Sequence, residues 1–269
     1  MPTHSINGTD LFVETVGDGP AILLLHGGLG LDHTYFRPAF DRLADRATLV
    51  YYDHRGNGRS ARPADYPAEV TFENLVADAI GVLDALEIEH AVVLGHSYGG
   101  FIAQQLAATH PSRVTKLILA NTAPVLDYQP MPSGSERAMA AFGALFSGPV
   151  ADDAQWRSLW TEAAPLYYHR WDDTEAARID AATHYVGDAW NVANGLLATF
   201  NTLEQLPNIT APTLCVTGRH DFITPAEPGA ERMANLIPDA EAAVFEASGH
   251  YPFLEESDDF FALLTRFLD

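Results

Sequence analysis

The chain has 269 residues and a formal net charge of −21 at pH 7, from 15 Lys and Arg against 36 Asp and Glu. A surface this acidic repels phosphate backbones and anionic membranes, which argues against nucleic-acid or lipid partners. Hydrophobic residues make up 47%, enough for the core of one large α/β domain and too many for a disordered chain.

The single cysteine, Cys215, permits no intrachain disulfide and lies in the apolar run "TLCVTG", where it reads as a small buried hydrophobe. The start, "MPTHSINGTDLF", has no basic stretch leading into an apolar one, and no apolar run approaches the ~20 residues that span a bilayer. A soluble, cytoplasmic protein is expected.

In chain order, "HSING" and "TDLFVETVG" flank Asn7-Gly8, a hairpin turn signal. "AILLLHGG" reads as a buried strand ending in a glycine turn, and "YFRPAFDRLAD" has helical spacing. "ATLVYYDHRGNGRS" is a second buried strand running into a Gly/Arg-rich loop. "TFENLVADAIGVLDALEIE" is an amphipathic helix with Thr71 as N-cap. "HAVVLGHS" is a strand, "YGGFIAQQLAATH" a helix and "RVTKLILANTA" a strand. Buried strands alternating with helices predict a mostly parallel sheet covered on both faces, with ligands at the carboxyl ends of its strands.

The alternation then stops. Residues 125–207 hold helical pieces, no strand-like run, and Trp156, Trp160, Trp171 and Trp190. The rhythm resumes with "APTLCVTG", a helix over "AEPGAERMANLIP", a strand over "AEAAVFE" and a closing helix over "DDFFALLTRFL". The expected organisation is a core domain of residues 1–124 and 208–269 with a helical cap of residues 125–207. A cap over strand ends turns some aromatics toward the site, so Trp156, Trp160, Trp190, Leu29 and Phe222 are candidate pocket residues.

The chemistry centres on Gly95-His96-Ser97-Tyr98-Gly99, a G-x-S-x-G set between a strand and a helix. That context marks a nucleophile elbow, in which glycines let the chain turn sharply and lift the serine hydroxyl above the sheet. A serine hydroxyl needs a base, and the base needs an orienting acid. The order Ser, acid, His assigns Ser97 as nucleophile, Asp221 of "TLCVTGRHDFITP" as acid and His250 of "ASGHYPFLEE" as base. Asp127, after "KLILA", is the second choice of acid. Backbone N–H groups of Tyr98 and of Gly28 in "HGGLG" are the expected oxyanion donors, with Leu29 an alternative to Gly28. His96 should point away from the cleft, His220 should face the far side of its turn, and His26 should tie loops together. No H-E-x-x-H or H-x-x-E-H spacing occurs, so no metal is expected.

With these motifs the chain resembles the α/β-hydrolase superfamily over essentially its whole length. "HGGLGLDHTYF", "YYDHRGNGRS" and "GHSYGG" look most like the proline iminopeptidase branch, and like related esterases and acyl-homoserine lactonases. The resemblance implies an α/β-hydrolase fold with an inserted helical cap, no cofactor, and a mainly structural Asp53–Ser60 loop. Aminopeptidases of this branch hold the substrate amine with glutamates, one of them directly after the catalytic acid. Here Phe222 follows Asp221, leaving Glu162, Glu175 and Glu204 in or near the cap. An unpaired ammonium is costly to desolvate, so the expected substrate is a small carboxylic ester or lactone. An aminopeptidase is the alternative, and a slow small-molecule receptor of the same fold a weaker one. Dehalogenases and epoxide hydrolases of this fold place Asp where Ser97 stands. Carbon–carbon bond hydrolases and perhydrolases share the same triad and stay open.

Overall fold

A computed structural model describes residues 3–28 and 30–269. One sheet of 8 strands runs in the order β1-β2-β4-β3-β5-β6-β7-β8. Asn7 and Gly8, with φ of 46° and 75°, turn β1 (Thr3–Ile6) into β2 (Thr9–Val16), and β2 pairs antiparallel with β4 (Thr48–Tyr52). From β4 the sheet is parallel through β3 (Ala21–Leu25), β5 (Ala91–His96), β6 (Val114–Ala120), β7 (Thr213–Gly218) and β8 (Ala240–Phe245). Residues of β3, β5 and β7 are almost wholly buried, as strands covered on both faces must be. Cys215 is one of them, and burial pushes its thiol up to about 12.

The helices of the core are α1 (Tyr66–Glu69), α2 (Phe72–Ala85) and α3 (Tyr98–Thr109), and after β7 come α8 (Arg232–Leu236), α9 (Pro252–Glu255) and α10 (Ser257–Leu268). Thr71 caps α2 by accepting from the Asn74 N–H at 3.2 Å. Between β6 and β7 the chain forms α4 (Glu136–Ser147), α5 (Asp153–Ala163), α6 (Asp173–Ala182) and α7 (Gly187–Leu197). Trp156, Trp190, Leu145 and Val150 pack there with Leu31, which comes from the loop after β3.

The stretch "YFRPAFDRLAD" departs from its expected helix. It forms short 3₁₀ turns at His33–Phe36 and Phe40–Leu43 with Pro38 between them. Pro38 has no N–H to continue a helical ladder and its ring crowds the preceding turn, so helical spacing on either side cannot join. Among the described residues no helix is long and apolar enough to cross a membrane.

Candidate active site

Ser97 stands at the junction of β5 and α3 with φ 53° and ψ −117°, a conformation that side-chain-bearing residues avoid. The neighbouring glycines explain how the turn closes. A Cβ on Gly95 would collide with the Gly99 carbonyl oxygen, and one on Gly99 with the Leu25 carbonyl oxygen. The strained turn carries Ser97 to a cavity of about 640 Å³ that Gly27, Gly28, Tyr98 and His250 also line.

Asp221 and His250 meet at the ends of β7 and β8. The His250 Nδ1–H donates to Asp221 Oδ2 at 2.8 Å. The same oxygen accepts from Thr224 Oγ1 at 2.7 Å and Asn121 Nδ2 at 2.9 Å, while Oδ1 accepts from the N–H groups of Ile223 and Thr224. Burial alone would raise the Asp221 carboxyl. The charge of a protonated His250 and the hydrogen bonds from His250, Asn121 and Thr224 outweigh it and hold the group below the usual carboxylate range. An ionised Asp221 fixes the His250 ring with its proton on Nδ1, which leaves Nε2 as the basic nitrogen. No hydrogen bond to the Ser97 hydroxyl closes among the described residues. Such bonds are commonly loose until substrate arrives.

The groups expected to hold an oxyanion are backbone N–H groups. Tyr98 is the first residue of α3, where a helix leaves its N–H without an intrahelical partner and carries a partial positive charge. Across from it, a Cβ on Gly27 would lie 2.8 Å from Ser97 Cβ, so only glycine lets this loop approach the serine. The Gly27 carbonyl accepts from His26 Nδ1 at 2.9 Å, and His26 Nε2 accepts from the His54 N–H at 3.0 Å. In a trans peptide the N–H points opposite the C=O. Holding the Gly27 carbonyl on His26 therefore turns the Gly28 N–H the other way, and Gly28 is among the residues that line the cavity. Asn57 Oδ1 accepts from the Gly30 N–H at 2.6 Å and steadies the same loop. Leu29 lies outside the described residues.

The Asp53–Ser60 loop packs beneath. Asp53 is buried, with Oδ1 on His33 Nδ1 at 2.6 Å and Oδ2 on the Arg59 N–H at 2.9 Å. Burial would raise Asp53, but the hydrogen bond and charge of His33 hold it well below its ordinary value. Arg55 pairs with buried Asp78 at 2.7 Å.

Trp156, Trp160 and Trp190 line the cavity with Leu126, Phe146 and Ile223. Trp156 stacks on Trp190 with ring centroids 4.4 Å apart and donates from Nε1 to the Gly30 carbonyl at 2.7 Å, joining α5 to the oxyanion loop. Trp171 stands off, on a neighbouring cavity of about 260 Å³. Phe222 is not among the lining residues. Its ring packs on Phe142 and Tyr167, because the turn that aims Asp221 at His250 sends the next side chain the other way.

Asp127 is on the surface, paired with Arg232 at 2.9 Å, and is far too exposed to orient a buried base. Its expected place at the end of β6 is taken by Asn121, with φ 49°, whose amide donates to Asp221 instead. His96 does not point away from the cleft. It lines the cavity, its Nε2 donating to the His250 carbonyl at 2.9 Å and its Nδ1 meeting the Tyr35 hydroxyl at 2.8 Å. Burial, with the charge of His250 next, pulls His96 down to about 3, so it stays neutral. His220 stacks on His169 at 3.7 Å, away from the acid. Sequence reasoning missed Asn121, Tyr35 and His96; the asparagine directly after a buried strand in "LILANTA" was the one local signal.

The inserted segment also touches His250. The His250 N–H donates to the Tyr167 carbonyl at 2.6 Å. Glu255 accepts from the Gly249 N–H at 2.7 Å and from the Arg170 N–H at 2.8 Å.

None of the described lining residues is acidic or permanently charged. Glu162 is paired with Arg137 and Glu175 with Arg178, both at 2.6 Å, and Glu204 is exposed. No cluster of metal-ligating side chains occurs among the described residues.

Residues 20–257 match the model of the alpha/beta hydrolase fold family. The chain is 32% identical over 273 residues to a proline iminopeptidase, PfmaB, of Pestalotiopsis fici, covering 94% of each protein. An esterase from Exiguobacterium antarcticum has a similar structure, with a TM-score of 0.82 at 25% identity over 99% of both chains. An enol-lactonase from Burkholderia xenovorans shares the fold with a TM-score of 0.82 at 24% identity, again over 99% of both.

Proposed function

Because the chain belongs to the α/β hydrolase fold family and is a hydrolase, we propose that it cleaves small carboxylic esters or lactones through an acyl-enzyme. Ser97 attacks the carbonyl carbon. His250 Nε2 takes the Ser97 proton and passes it to the leaving alkoxide. Asp221 orients His250 and offsets the charge it gains. The N–H groups of Tyr98 and Gly28 hold the oxyanion, and water, deprotonated by His250, clears the acyl group from Ser97. No cofactor enters these steps. A small molecule is the whole substrate, in keeping with a net charge of −21 that disfavours polyanions.

The observation that carries the ester reading is the cavity wall: mostly apolar and aromatic, about 640 Å³, with no carboxylate among the described lining residues. An acyl chain or neutral ring sits well there. A free amine would be desolvated without a counter-charge, a cost of several kcal/mol per ion. The esterase of similar structure points the same way. The proline iminopeptidase of Pestalotiopsis fici favours the second reading, amide cleavage at an N-terminal residue.

Wild type and Ser97→Ala, assayed together on a short-chain aryl ester, an acyl-homoserine lactone and a prolyl arylamide, separate the two. Ester or lactone turnover lost in Ser97→Ala is the expected result. A preference for the prolyl arylamide would replace the ester reading with the peptidase one. Activity surviving in Ser97→Ala would overturn the mechanism itself.

A further inference from the structure

A line of hydrogen bonds joins the two arms of the site from behind. The Gly27 N–H donates to the Tyr35 hydroxyl oxygen at 2.6 Å. That hydroxyl lies 2.8 Å from His96 Nδ1, and His96 Nε2 lies 2.9 Å from the His250 carbonyl oxygen. The direction of every link is fixed. A carbonyl oxygen only accepts, so the His96 proton is on Nε2. A neutral imidazole then has a lone pair on Nδ1, so the Tyr35 hydroxyl donates there and is free to accept from Gly27. Tyr35, His96 and His250 are each no more than 4% exposed, so these hydrogen bonds lie in a low-dielectric setting where each is stronger than in water.

We propose that Tyr35 and His96 are positioning residues that set the distance between the oxyanion loop at Gly27–Gly28 and the backbone of the base, His250. The inference rests on the hydrolase reading above. Its physical basis is that oxyanion donors and a general base must be held within a fraction of an ångström across the reacting carbon, while these two come from loops more than 200 positions apart in the sequence. No backbone hydrogen bond joins Gly27 or Gly28 to His250 among the described residues. The Tyr35–His96 line is a polar connection between them among the described residues. Phe36, Tyr251 and Phe253 box the His96 ring, fixing its orientation by packing as well.

The test uses Tyr35→Phe, which keeps the ring and removes the hydroxyl, with His96→Leu and the double variant. Assays take the best ester from the panel and a boronic acid that mimics the tetrahedral state. Loss of one oxyanion donor costs about 10²–10³ in rate, and a displaced donor should cost less, about tenfold. Tyr35→Phe should therefore lower kcat about tenfold with KM kept and weaken the boronate by a similar factor. The double variant should cost no more than the larger single, because both cut one line. A kcat within twofold of wild type, a loss confined to KM, or losses that multiply in the double variant would each overturn the proposal. If His96→Leu does not fold, Tyr35→Phe alone still decides through kcat and the boronate. Hydrogen exchange at the Gly27 amide gives a readout independent of activity: it should speed up in Tyr35→Phe, and an unchanged rate counts against the line even if the protein proves inert toward every ester. Inertness of wild type toward the esters overturns the ester reading instead.

Discussion

Asn121 Nδ2 donates at once to Asp221 Oδ2 at 2.9 Å and to the Gly249 carbonyl at 3.2 Å, so one amide at the end of β6 ties Asp221 to the loop that carries His250. Its backbone φ of 49° suits asparagine or glycine. Asn121→Gly therefore removes the amide while keeping the turn. We expect kcat to fall about tenfold, with a stability loss of about 1–2 kcal/mol from the missing hydrogen bonds. Asp221→Asn is the sharper comparison: it permits the wrong His250 tautomer, and kcat should fall by about 10³–10⁴. Steady-state kinetics on both variants check the order. An Asn121→Gly variant as crippled as Asp221→Asn would mean that the amide does more than hold the acid.

The strain at Ser97 is separable from its chemistry. Glycine relaxes the φ 53°, ψ −117° backbone, a relief of about 1–3 kcal/mol, against roughly 0.5–1 kcal/mol for its extra unfolded-state freedom. Ser97→Gly should thus be inactive and about 1 kcal/mol more stable than wild type. Thermal unfolding checks this, and an unchanged or lowered midpoint would show that the turn is unstrained.

Acid should unfold the protein early. His26, His54 and His96 are buried with folded-state values below the ordinary 6.5, His96 at about 3. The unfolded chain binds protons at these positions as pH falls below about 6.5 while the folded chain does not, so stability drops from there down toward pH 3. Glu14, lowered from 4.5 to about 2 by its hydrogen bond to His33, and the depressed Asp53 and Asp221 add a second loss below about pH 4.5. His33 is raised and opposes the trend: its contribution is full below pH 6.5 and fades as pH climbs through its folded value. The net expectation is a melting temperature that declines steadily from pH 6.5 to 4, measured by circular dichroism. A flat profile over that range would refute it.

Chain length should report on the aromatic wall. Trp190 lines the cavity and stacks on Trp156. Trp190→Leu opens room beside Asn194 and Leu197, also on the wall. Each further CH₂ that becomes buried contributes about 0.8 kcal/mol, roughly fourfold in kcat/KM. Across a series of aryl esters from two to twelve carbons, the optimum should move to longer acyl groups by two or three carbons. An unshifted profile would place the acyl group elsewhere in the cavity.

What could be read from the sequence was local. The elbow is legible because Gly95 and Gly99 are required by contacts within the motif or to the strand beside it. Asp221 and His250 each follow a strand, β7 and β8, that the runs "TLCVTG" and "AEAAVFE" mark in the sequence. The parts that were illegible depend on distant partners. Asn121 meets Asp221 across 100 positions and Tyr35 meets His96 across 61, and nothing in either neighbourhood announces the other. Phe222 was misplaced because adjacency in sequence to Asp221 says nothing about which side of a tight turn a ring takes. Pro38 is visible in the sequence, and its missing N–H overrides the apolar spacing on either side of it.

The hydrogen bond from the His250 N–H to the Tyr167 carbonyl, and the Glu255 carboxylate that holds both Gly249 and Arg170, have a bearing on how such enzymes diversify. A helical insertion looks like an interchangeable module, free to be traded between relatives to change diet. Here residues 167–170 belong mechanically to the base. A recombinant that replaces the whole insertion would exchange its pocket and unseat His250 in the same stroke, whereas one that swaps only α4 to α5 and α6 to α7 around a retained 167–170 segment would change taste and keep its teeth.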